Sequence, residues 1–357
     1  MKNRIISVIS LFFVSIYATF AQSDVRVKNI ILMIGDGMGV AQVYAAYTVN
    51  KGKLNLEKAQ YIGFSKTSSA NSYITDSGAG GTAISIGRKT NNGCIGVDSD
   101  SVSLKTILEI AEENELSTGL LATSAITHAT PASFVAHQIS RYDTLEIAYD
   151  FIGSGIDIFI GGGRNHFERR IDSANISDSL RKEGYSIVYD LASIKAKDKN
   201  NIGCLVADKH LLPVLNGRGD FLPDATSLSL SRLSKNKKGF FVMIEGSQID
   251  WAGHSNHISY LVSEMIDFDK AVGVAFDFAD KNPGTLVVVT ADHETGGLSL
   301  VDGDIHSGKL SSTFGTTDHT GVMVPVFAYG AGAEEFKGIY ENTELFFKMM
   351  RLYGFKP

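Results

Sequence analysis

The stretch Val27-Lys-Asn-Ile-Ile-Leu-Met-Ile-Gly-Asp-Gly-Met-Gly39 is a nearly continuous apolar run that ends in an aspartate among glycines. Such a run is typical of a strand covered on both faces of a sheet. Asp36 would then lie at the carboxyl end of that strand, on a tight turn where the backbone approaches its neighbours closely. Since Gly-Asp-Gly is also ordinary turn chemistry, a functional Asp36 is one of two hypotheses at this point.

Similar apolar runs recur along the chain, at residues 119–122, 156–160, 239–244, 285–289 and 322–329. Segments with helical periodicity alternate with them, at residues 104–113, 144–152, 227–234, 258–279 and 342–352. This alternation predicts an α/β fold: one large domain with a mainly parallel central sheet and helices on both faces. The more polar stretch 164–223 predicts a solvated surface insertion.

Composition excludes several classes of protein. The chain has 357 residues, 33 basic and 39 acidic side chains, a formal net charge of −6 and 44% hydrophobic residues. A chain of this length buries enough surface to fold without a metal or disulfide scaffold. Its acidic balance argues against nucleic-acid binding that depends on overall charge, so no nucleic-acid-specific partner is expected.

The first 21 residues resemble a secretory signal peptide. Lys2 and Arg4 precede an apolar run at residues 5–17, and Thr19-Phe-Ala21 resembles a cleavage site. This pattern predicts export to the periplasm or the medium, with a mature domain at residues 22–357, although an uncleaved N-terminal anchor is the alternative. No later run reaches the length of a membrane span, so we expect no membrane partner for the mature chain. The two cysteines, Cys94 and Cys204, are compatible with a disulfide or with two buried thiols.

Polar residues follow two of the predicted strands. Thr290-Ala-Asp-His-Glu-Thr-Gly-Gly297 places Asp292 and His293 at a strand end, where they offer one oxygen and one nitrogen ligand, a mixture that suits zinc. In isolation, a capping aspartate beside a surface histidine explains that pair as well. Glu245-Gly-Ser-Gln-Ile-Asp-Trp-Ala-Gly-His254 is more specific, because Asp250 and His254 are four residues apart and share one face of a helical turn.

Two other histidines lie near these segments. His257 is interpreted as a surface residue or a neighbour of the ligands, since an isolated extra histidine is more often structural. His319, in Asp318-His-Thr-Gly321, precedes a buried strand and adds a further imidazole in the same half of the chain.

The segment Tyr73-Ile-Thr-Asp-Ser-Gly-Ala-Gly-Gly-Thr-Ala83 carries a candidate nucleophile. Ser77 begins a run of tiny residues that can enter a helix, whose first N–H groups attract an anion. The alternative is a helix N-cap serine with small packing neighbours. A Gly-x-Ser-x-Gly motif is absent, which disfavours a serine-esterase triad, whereas a metal ion can activate a serine without a histidine base.

Arg141 is a candidate for binding phosphate. If Pro131 begins a helix, Arg141 stands about three turns along it. A guanidinium near a serine and several metal ligands can clamp phosphate with two parallel hydrogen bonds.

Six ordered motifs together resemble the alkaline phosphatase family of metal-dependent phosphomonoesterases, over about residues 28–329. They are MIGDGMG at 33–39, TDSGAGGTA at 75–83, HATPASFVAH at 128–137 with a following arginine, EGSQIDWAGH at 245–254, TADHETGG at 290–297 and DHTG at 318–321. The resemblance implies a family-like α/β fold with residues 22–357 as the catalytic domain. It also implies small phosphomonoester substrates and is compatible with a homodimer.

The resemblance further implies a role for each site residue. Ser77 would be the nucleophile that forms a phosphoserine, and Arg141, oriented by Asp76, would hold the phosphate. The implied metal ligands form three sets: Asp36, Asp292, His293 and Ser77 for one zinc; Asp250, His254 and His319 for a second zinc; Asp36, Thr130 and Glu245 for a third metal, usually magnesium.

Two neighbours of the third site vary within the family, and this chain has His128 and Trp251 there. Imidazole suits zinc or cobalt better than an all-oxygen shell does, so zinc or cobalt is the alternative to magnesium at that site.

Two other functions are alternatives to a monoesterase. A phosphodiesterase or another hydrolase of the same superfamily is one, but similar diesterases lack the third-site acid and the arginine. A sulfatase would need a modifiable residue followed by x-Pro-x-Arg, which Ser77-Gly-Ala-Gly-Gly81 does not match. The other is an exported, non-catalytic binder of phosphate or metal, which would share the ligands but need no nucleophile.

Overall fold

The computed structural model describes residues 26–195 and 200–356; the predicted signal peptide at residues 1–21 lies outside them. Its strands are β1 (Asn29–Gly35), β2 (Tyr61–Lys66), β3 (Ser117–Ala125), β4 (Ile158–Gly162), β5 (Ser186–Val188), β6 (Ile202–Leu205), β7 (Phe240–Gly246), β8 (Thr285–Thr290), β9 (Glu294–Thr295), β10 (Leu298–Asp304), β11 (Lys309–Phe314), β12 (His319–Thr320), β13 (Val324–Gly330) and β14 (Gly338–Glu341). Its helices are α1 (Val40–Val49), α2 (Ser77–Ile86), α3 (Ile107–Glu113), α4 (Ala129–Ala132), α5 (Thr144–Tyr149), α6 (Arg164–Glu168), α7 (Ile176–Lys182), α8 (Phe221–Leu233), α9 (Gln248–His254), α10 (Ile258–Lys281) and α11 (Thr343–Tyr353).

A ten-stranded sheet forms the centre of the fold, in the order β14-β2-β13-β8-β1-β7-β3-β4-β6-β5. β13 runs antiparallel to its neighbours β8 and β2, and the other strands of this sheet run parallel to one another. All six apolar runs in the sequence coincide with strands of this sheet: β1, β3, β4, β7, β8 and β13. The predicted α/β class with a mainly parallel sheet is confirmed.

Two hydrophobic cores cover the two faces of the sheet. Alternate residues of β1 enter different cores: Ile30 and Leu32 pack on one face, while Ile31 and Met33 pack on the other. The first face is covered by α2, α3, α5 and α11 and the second by α1, α8, α9 and α10. Burial on both faces explains why β1 is apolar at consecutive positions rather than at every second one.

The polar stretch 164–223 is not only a surface feature. It supplies β6 and β5, which extend the sheet beyond β4, and its Phe167 and Leu180 are fully buried in the first core. The prediction that residues 164–223 form only a surface insertion is therefore wrong. β5 has three residues with one buried side chain, and β6, although fully buried, is only four residues long within polar surroundings.

The predicted helix from Pro131 to Arg141 is wrong. α4 ends at Ala132, and Arg141 lies in a turn, where its N–H donates to the carbonyl of Gly93 at 2.7 Å. Nearby, Gln138 forms an antiparallel β-bridge with Ile95. The backbone before Arg141 therefore makes its hydrogen bonds with a distant segment and not within a helix.

The two cysteines are both buried free thiols, which answers the disulfide question for this structure. Burial raises the pKa of Cys204 to about 12, so that thiol stays protonated. In the part of the chain that the structure describes, helices that combine the length and the apolarity of a membrane span are absent.

Candidate active site

Four adjacent central strands, in the order β8-β1-β7-β3, end at one edge of the sheet, and the predicted ligands lie at or just beyond these ends. Asp36 follows β1, Glu245 lies near the end of β7, and Asp292 follows β8. The carboxyl ends of parallel strands are where open α/β sheets bind their ligands. The structure therefore brings together Asp36 and Asp292, which are 256 positions apart in the sequence.

The first cluster contains Asp36, Asp292 and His293, which are fully buried. The His293 Nε2 atom lies 3.5 Å from Asp36 Oδ1 and 3.2 Å from Asp292 Oδ2. The N–H groups of Gly37 and His293 donate to the other oxygen of Asp292, at 3.3 and 3.1 Å. Gly37 has φ +75°, and a Cβ there would lie 2.8 Å from the Cα of Asp250, so glycine is required beside Asp36.

The second cluster contains Asp250, His254 and His319. Asp250 and His254 lie on α9, one helical turn apart as predicted, and the two histidine Nε2 atoms lie 3.3 and 3.4 Å from Asp250 Oδ1. Each histidine Nδ1 faces a carbonyl oxygen, that of Thr317 at 2.7 Å or that of Thr75 at 2.8 Å. Since a carbonyl only accepts, Nδ1 carries the proton and Nε2 is left to bind a metal.

The third cluster contains Asp36, Glu245 and His128. His128 therefore reaches the site directly, whereas sequence reasoning placed it beside the ligands. Thr130, at the start of α4, donates to Asp36 Oδ2 at 3.3 Å, so its hydroxyl also lies at this cluster. Glu245 is steadied by the hydroxyls of Ser124 and Ser247, which donate to its Oε2 at 3.3 and 2.5 Å.

Ser77 is the first residue of the ten-residue α2, as the run of small residues predicted, and it is 1% exposed. Its Oγ atom lies 3.2 Å from His293 Nε2 in the first cluster. The glycines behind it allow close packing: a Cβ at Gly80 would lie 3.0 Å from Asp292 Cβ, and one at Gly81 would lie 2.5 Å from Ser133 Oγ. The hydroxyl thus stands between a helix N-terminus and the first cluster.

Arg141 and Asp76 lie next to Ser77 and contact each other. Arg141 Nη1 donates to Asp76 Oδ2 at 2.9 Å, and Ala79 N–H donates to Asp76 Oδ1 at 2.9 Å, which makes Asp76 the N-cap of α2. One carboxylate therefore orients both the guanidinium and the helix that begins with Ser77. Burial opposes the charge on Arg141, but Asp76 outweighs it and raises the pKa of Arg141.

The side chains of the three clusters have strongly shifted pKa values. Burial, followed by repulsion from Asp292, raises the pKa of Asp36 well above its ordinary range. Burial also raises the pKa of Glu245 to about 7 and that of Asp292 to about 6. Burial lowers the pKa of His128 to about 3, which keeps its imidazole neutral. Anionic carboxylates crowded in a dry site need nearby cations to remain charged.

The residues fit divalent cations on independent grounds. Among the described residues, twelve buried side-chain polar atoms lack a hydrogen-bond partner, and four of these belong to the clusters: Asp36 Oδ1, His128 Nδ1, Glu245 Oε1 and Asp292 Oδ2. The Nε2 atoms of His254 and His319 face each other at 3.1 Å, an arrangement that needs either a cation bound by both lone pairs or a proton shared between them. Mixed carboxylate and imidazole donors suit zinc in the first two clusters, and the richer oxygen set of the third suits magnesium as well.

Sequence reasoning missed Glu294, which is 4% exposed. Glu294 accepts hydrogen bonds from Gln42 Nε2 at 2.6 Å, from the Thr320 hydroxyl, and from the N–H groups of Gly297 and Leu298 at 3.2 Å. It lies beside His293, and Thr320 lies beside His319, so its carboxylate joins the segments that carry ligands of two clusters. A second acid after Asp292-His293 was its only signal in the sequence.

His210 and His257 complete the list of nearby histidines. His210 was not predicted, because it lies in the polar stretch 164–223; its ring lies 4.7 Å from the ring of Trp251 and 5.8 Å from that of His128. His257 is the N-cap of α10, where its Nδ1 accepts from Tyr260 N–H at 3.1 Å, so it is a structural residue at an exposed position.

Comparisons with known proteins identify relatives of this chain. A sequence model of a family described as alkaline phosphatase matches residues 27–312. Alkaline phosphatase 3 of Bacillus subtilis is 37% identical over 407 residues, which cover 90% of this chain and 87% of that protein. The alkaline phosphatase of Escherichia coli is 30% identical over 413 residues, which cover 94% of this chain and 88% of that protein.

Solved structures show the same likeness in three dimensions. The alkaline phosphatase of the Antarctic bacterium TAB5 is 44% identical, with a TM-score of 0.88 over 93% of this chain and 99% of that chain. A histidine-to-glutamate mutant of the TAB5 enzyme, solved with magnesium bound in its third metal site, is 43% identical with a TM-score of 0.89 over the same shares of the two chains.

Proposed function

The chain belongs to the alkaline phosphatase family of phosphomonoesterases, and we propose that Ser77 is its nucleophile and Arg141 its phosphate clamp. The observation that carries this proposal is the position of the Ser77 hydroxyl, 3.2 Å from His293 Nε2 and at the start of α2. A phosphate beside that hydroxyl would meet the N–H groups of a helix N-terminus, which favour an anion.

Three cations are proposed for the three clusters. Asp36, Asp292 and His293 would hold one zinc next to Ser77, and Asp250, His254 and His319 would hold a second. Asp36, Glu245, Thr130 and His128 would hold a third cation, either magnesium or, because of the imidazole, zinc or cobalt. When bound, the zinc pair lowers the pKa of a hydroxyl and balances charge on the entering and leaving oxygens of phosphoryl transfer.

The identity of the third cation is supported by the chemistry of the donors. The TAB5 mutant that binds magnesium in its third metal site has a glutamate in place of a histidine. By the same chemistry, His128 would favour zinc or cobalt here. If the purified protein regained full activity with zinc and magnesium while cobalt had no effect, this preference would be contradicted.

The side chains of this protein then divide the reaction as follows. Ser77 Oγ attacks phosphorus in line with the ester oxygen, which leaves as the alcohol, and a phosphoserine forms. Arg141, held by Asp76, donates to the phosphate oxygens in both steps. Water then attacks the phosphoserine from the side that the alcohol left, so phosphate is released and Ser77 is regenerated. Two in-line displacements give net retention of configuration at phosphorus.

The Ser77→Ala substitution tests the nucleophile. We expect the turnover of an aryl phosphomonoester to fall roughly 10³-fold or more, because no other group can form the covalent intermediate. Phosphate affinity, measured by calorimetry, should persist, and Ser72→Ala, on the same loop, should leave turnover unchanged. Retained turnover in Ser77→Ala would mean that the chain uses a different nucleophile.

The substrate class is tested with three aryl esters of one leaving group: a phosphomonoester, a phosphodiester and a sulfate. After reconstitution with defined metals, we expect the monoester to be hydrolysed fastest, because Arg141 and the third cluster suit a doubly charged phosphoryl group. A preference for the diester or the sulfate would overturn the proposed substrate class, and binding of phosphate without turnover of any ester would indicate a non-catalytic binder.

Export and assembly are further proposals. We propose that residues 1–21 direct export and are removed, so that N-terminal sequencing of the exported protein should begin at Gln22. We also propose a homodimer, for which sedimentation should give twice the mass of one chain.

A further inference from the structure

A segment of the polar stretch 164–223 runs over the third cluster. We call residues 206–218 the strap. Its first part is fixed to the end of β4: Val206 N–H donates to Gly161 O at 2.9 Å, and Gly163 N–H donates to Lys209 O at 2.5 Å. A Cβ at Gly162 would lie 2.0 Å from Lys209 O, so the backbone of the strap lies directly against the strand.

The second part of the strap is fixed to α9 and α10. Gln248 Nε2 on α9 donates to Leu211 O at 3.0 Å, and Val214 N–H donates to Glu264 Oε1 on α10 at 2.8 Å. The Arg218 guanidinium, 3% exposed, contacts Glu264 and lies 2.8 Å from Asp267. His210 therefore lies between two anchored parts of the strap, and its position is fixed by the fold.

The ring of His210 packs edge-on against His128 of the third cluster and against Trp251, which neighbours it. Its centroid lies 4.7 Å from that of Trp251, with an angle of 76° between the planes, and 5.8 Å from that of His128, with an angle of 87°. His210 Nδ1 faces Ala125 N–H at 3.0 Å and accepts its hydrogen bond, which leaves the proton on Nε2. This bond fixes the orientation of the ring at the end of β3.

His128 depends on that packing. Its Nδ1 atom is buried without a hydrogen-bond partner, and one nitrogen of its ring lies at the third cluster with Asp36 and Glu245. Its ring also meets Trp251 edge-on, with centroids 5.8 Å apart. Because Nδ1 makes no hydrogen bond within the protein, the edges of His210 and Trp251 hold the imidazole in the orientation that faces the cluster.

We propose that His210 is a positioning residue that determines which divalent cation the third cluster prefers. By holding His128 toward the cluster, His210 supplies a nitrogen ligand and favours zinc over magnesium. Without the His210 ring, His128 is free to turn away, and the remaining donors are oxygens, which favour magnesium. This inference rests on the proposed third cation.

The test uses a competition between two metals in the full-length enzyme. Purified protein is dialysed at fixed zinc against rising magnesium, and bound zinc and magnesium per chain are measured by elemental analysis. Trp251 is the only tryptophan in the chain, so its fluorescence gives a second, local readout of the exchange. Neither measurement depends on catalysis.

Two variants separate the ring of His210 from its hydrogen bond. His210→Asn keeps an acceptor for Ala125 N–H but removes the ring, and we expect it to lower the magnesium concentration that displaces the third zinc by about tenfold. His210→Phe keeps the ring but loses the acceptor, and we expect a change of less than about threefold, since the aromatic edge remains. Leu212→Ser, at an exposed position on the strap, is the control and should match the wild type.

The outcomes are distinguishable. If wild type and His210→Asn exchange zinc for magnesium at the same concentration, the inference is wrong even though the third site exists. If the wild type binds no third cation, both the proposed third site and the inference fail. A structural role alone would lower the melting temperature of His210→Asn while its two-zinc content and its exchange midpoint stayed those of the wild type, and this result would also overturn the inference.

Discussion

Two sets of buried carboxylates in this molecule contrast sharply. At the carboxyl edge of the sheet, Asp36, Glu245 and Asp292 each have one buried oxygen without a partner. On α10, both oxygens of Glu264 and of Asp269 accept hydrogen bonds: Glu264 from Val214 and Arg218, and Asp269 from the N–H groups of residues 55 and 56. All five side chains are less than 5% exposed.

The difference shows what each set does. The α10 carboxylates accept hydrogen bonds from other parts of the protein and so hold two chain segments in place. Glu264 holds the strap, and Asp269 holds the turn at Asn55–Lys58. The unpartnered oxygens of the carboxylates at the sheet edge gain a partner only when a cation binds there. Burial raises the pKa of Glu264 and Asp269 as well, so burial alone does not distinguish the two sets. The difference is whether both carboxylate oxygens have hydrogen-bond partners within the protein.

Removing the divalent cations should have the largest effect. We expect chelation to lower the free energy of unfolding by more than about 5 kcal/mol and to abolish hydrolysis, because the carboxylates at the sheet edge then repel one another in a dry site. Urea unfolding with and without chelator measures the change. Equal stability in both conditions would remove the basis of the comparison.

Neutralising one carboxylate of each set should change the stability of the metal-free protein in opposite directions. Glu264→Gln should cost about 3 kcal/mol with or without metal, since it breaks a buried ion pair with Arg218. Asp292→Asn should stabilise the metal-free protein at pH 8 by about 1–2 kcal/mol, because it relieves repulsion, yet destabilise the metal-loaded protein. Chemical denaturation of both variants in both metal states provides the measurement, and the same sign of change in all four experiments would contradict this prediction.

The pH dependence of the metal-free protein should follow the raised pKa values. Asp292 titrates at about 6 and Glu245 at about 7 in the folded chain, above their ordinary values of 3.8 and 4.5. Stability from their protonated forms is therefore complete below pH ~4 and is lost as the pH rises through 6 and 7, by roughly 3 kcal/mol for each group and roughly 6 kcal/mol in total. In the metal-loaded protein, cations displace these protons and stability should instead increase over this range. A metal-free stability that rises between pH 4 and 8 would refute the assignment.

The smallest of these effects concerns Glu294. Glu294→Gln should cost about 1–2 kcal/mol and weaken zinc binding about tenfold, because the amide nitrogen would replace one acceptor oxygen. It would then face the donors of Gln42 and Leu298, or those of Gly297 and Thr320. Thermal unfolding and zinc competition with a chromogenic chelator measure the two changes. Glu335→Gln, at an exposed position, is the matched control, and equal zinc affinity in both variants would limit Glu294 to a structural role.

The sequence predicts the centre of the fold better than its edges. Strands such as β1 and β7 are apolar at consecutive positions because both faces are covered, and this pattern is visible without a structure. The edge strand β5 has three residues with one buried side chain, too little to recognise. The helix predicted after Pro131 failed because long-range bonds, such as that of Arg141 N–H to Gly93, override local helical preference.

The candidate site also contains residues that the sequence predicts and residues that it does not. Predicted ligands such as Asp36 and Asp250 stand directly after or near apolar runs, so their convergence at the carboxyl edge was predictable from a mainly parallel sheet. His210 reaches the site through the strap, whose course depends on contacts with β4 and α10 that leave no mark in the local sequence. Residues of this kind, which act through position rather than through a motif, become visible only when the chain is folded.

The packing behind Ser77 has a consequence for protein engineering. Since even a methyl group at Gly80 or Gly81 would press on Asp292 or Ser133, laboratory evolution cannot widen substrate range from that side without moving Ser77. Libraries for new leaving groups belong instead at Tyr73 and Tyr142, which are 78% and 83% exposed and lie close in sequence to Ser77 and Arg141. The side of Ser77 that faces these glycines is closed to variation, and new specificity can be selected on the exposed side.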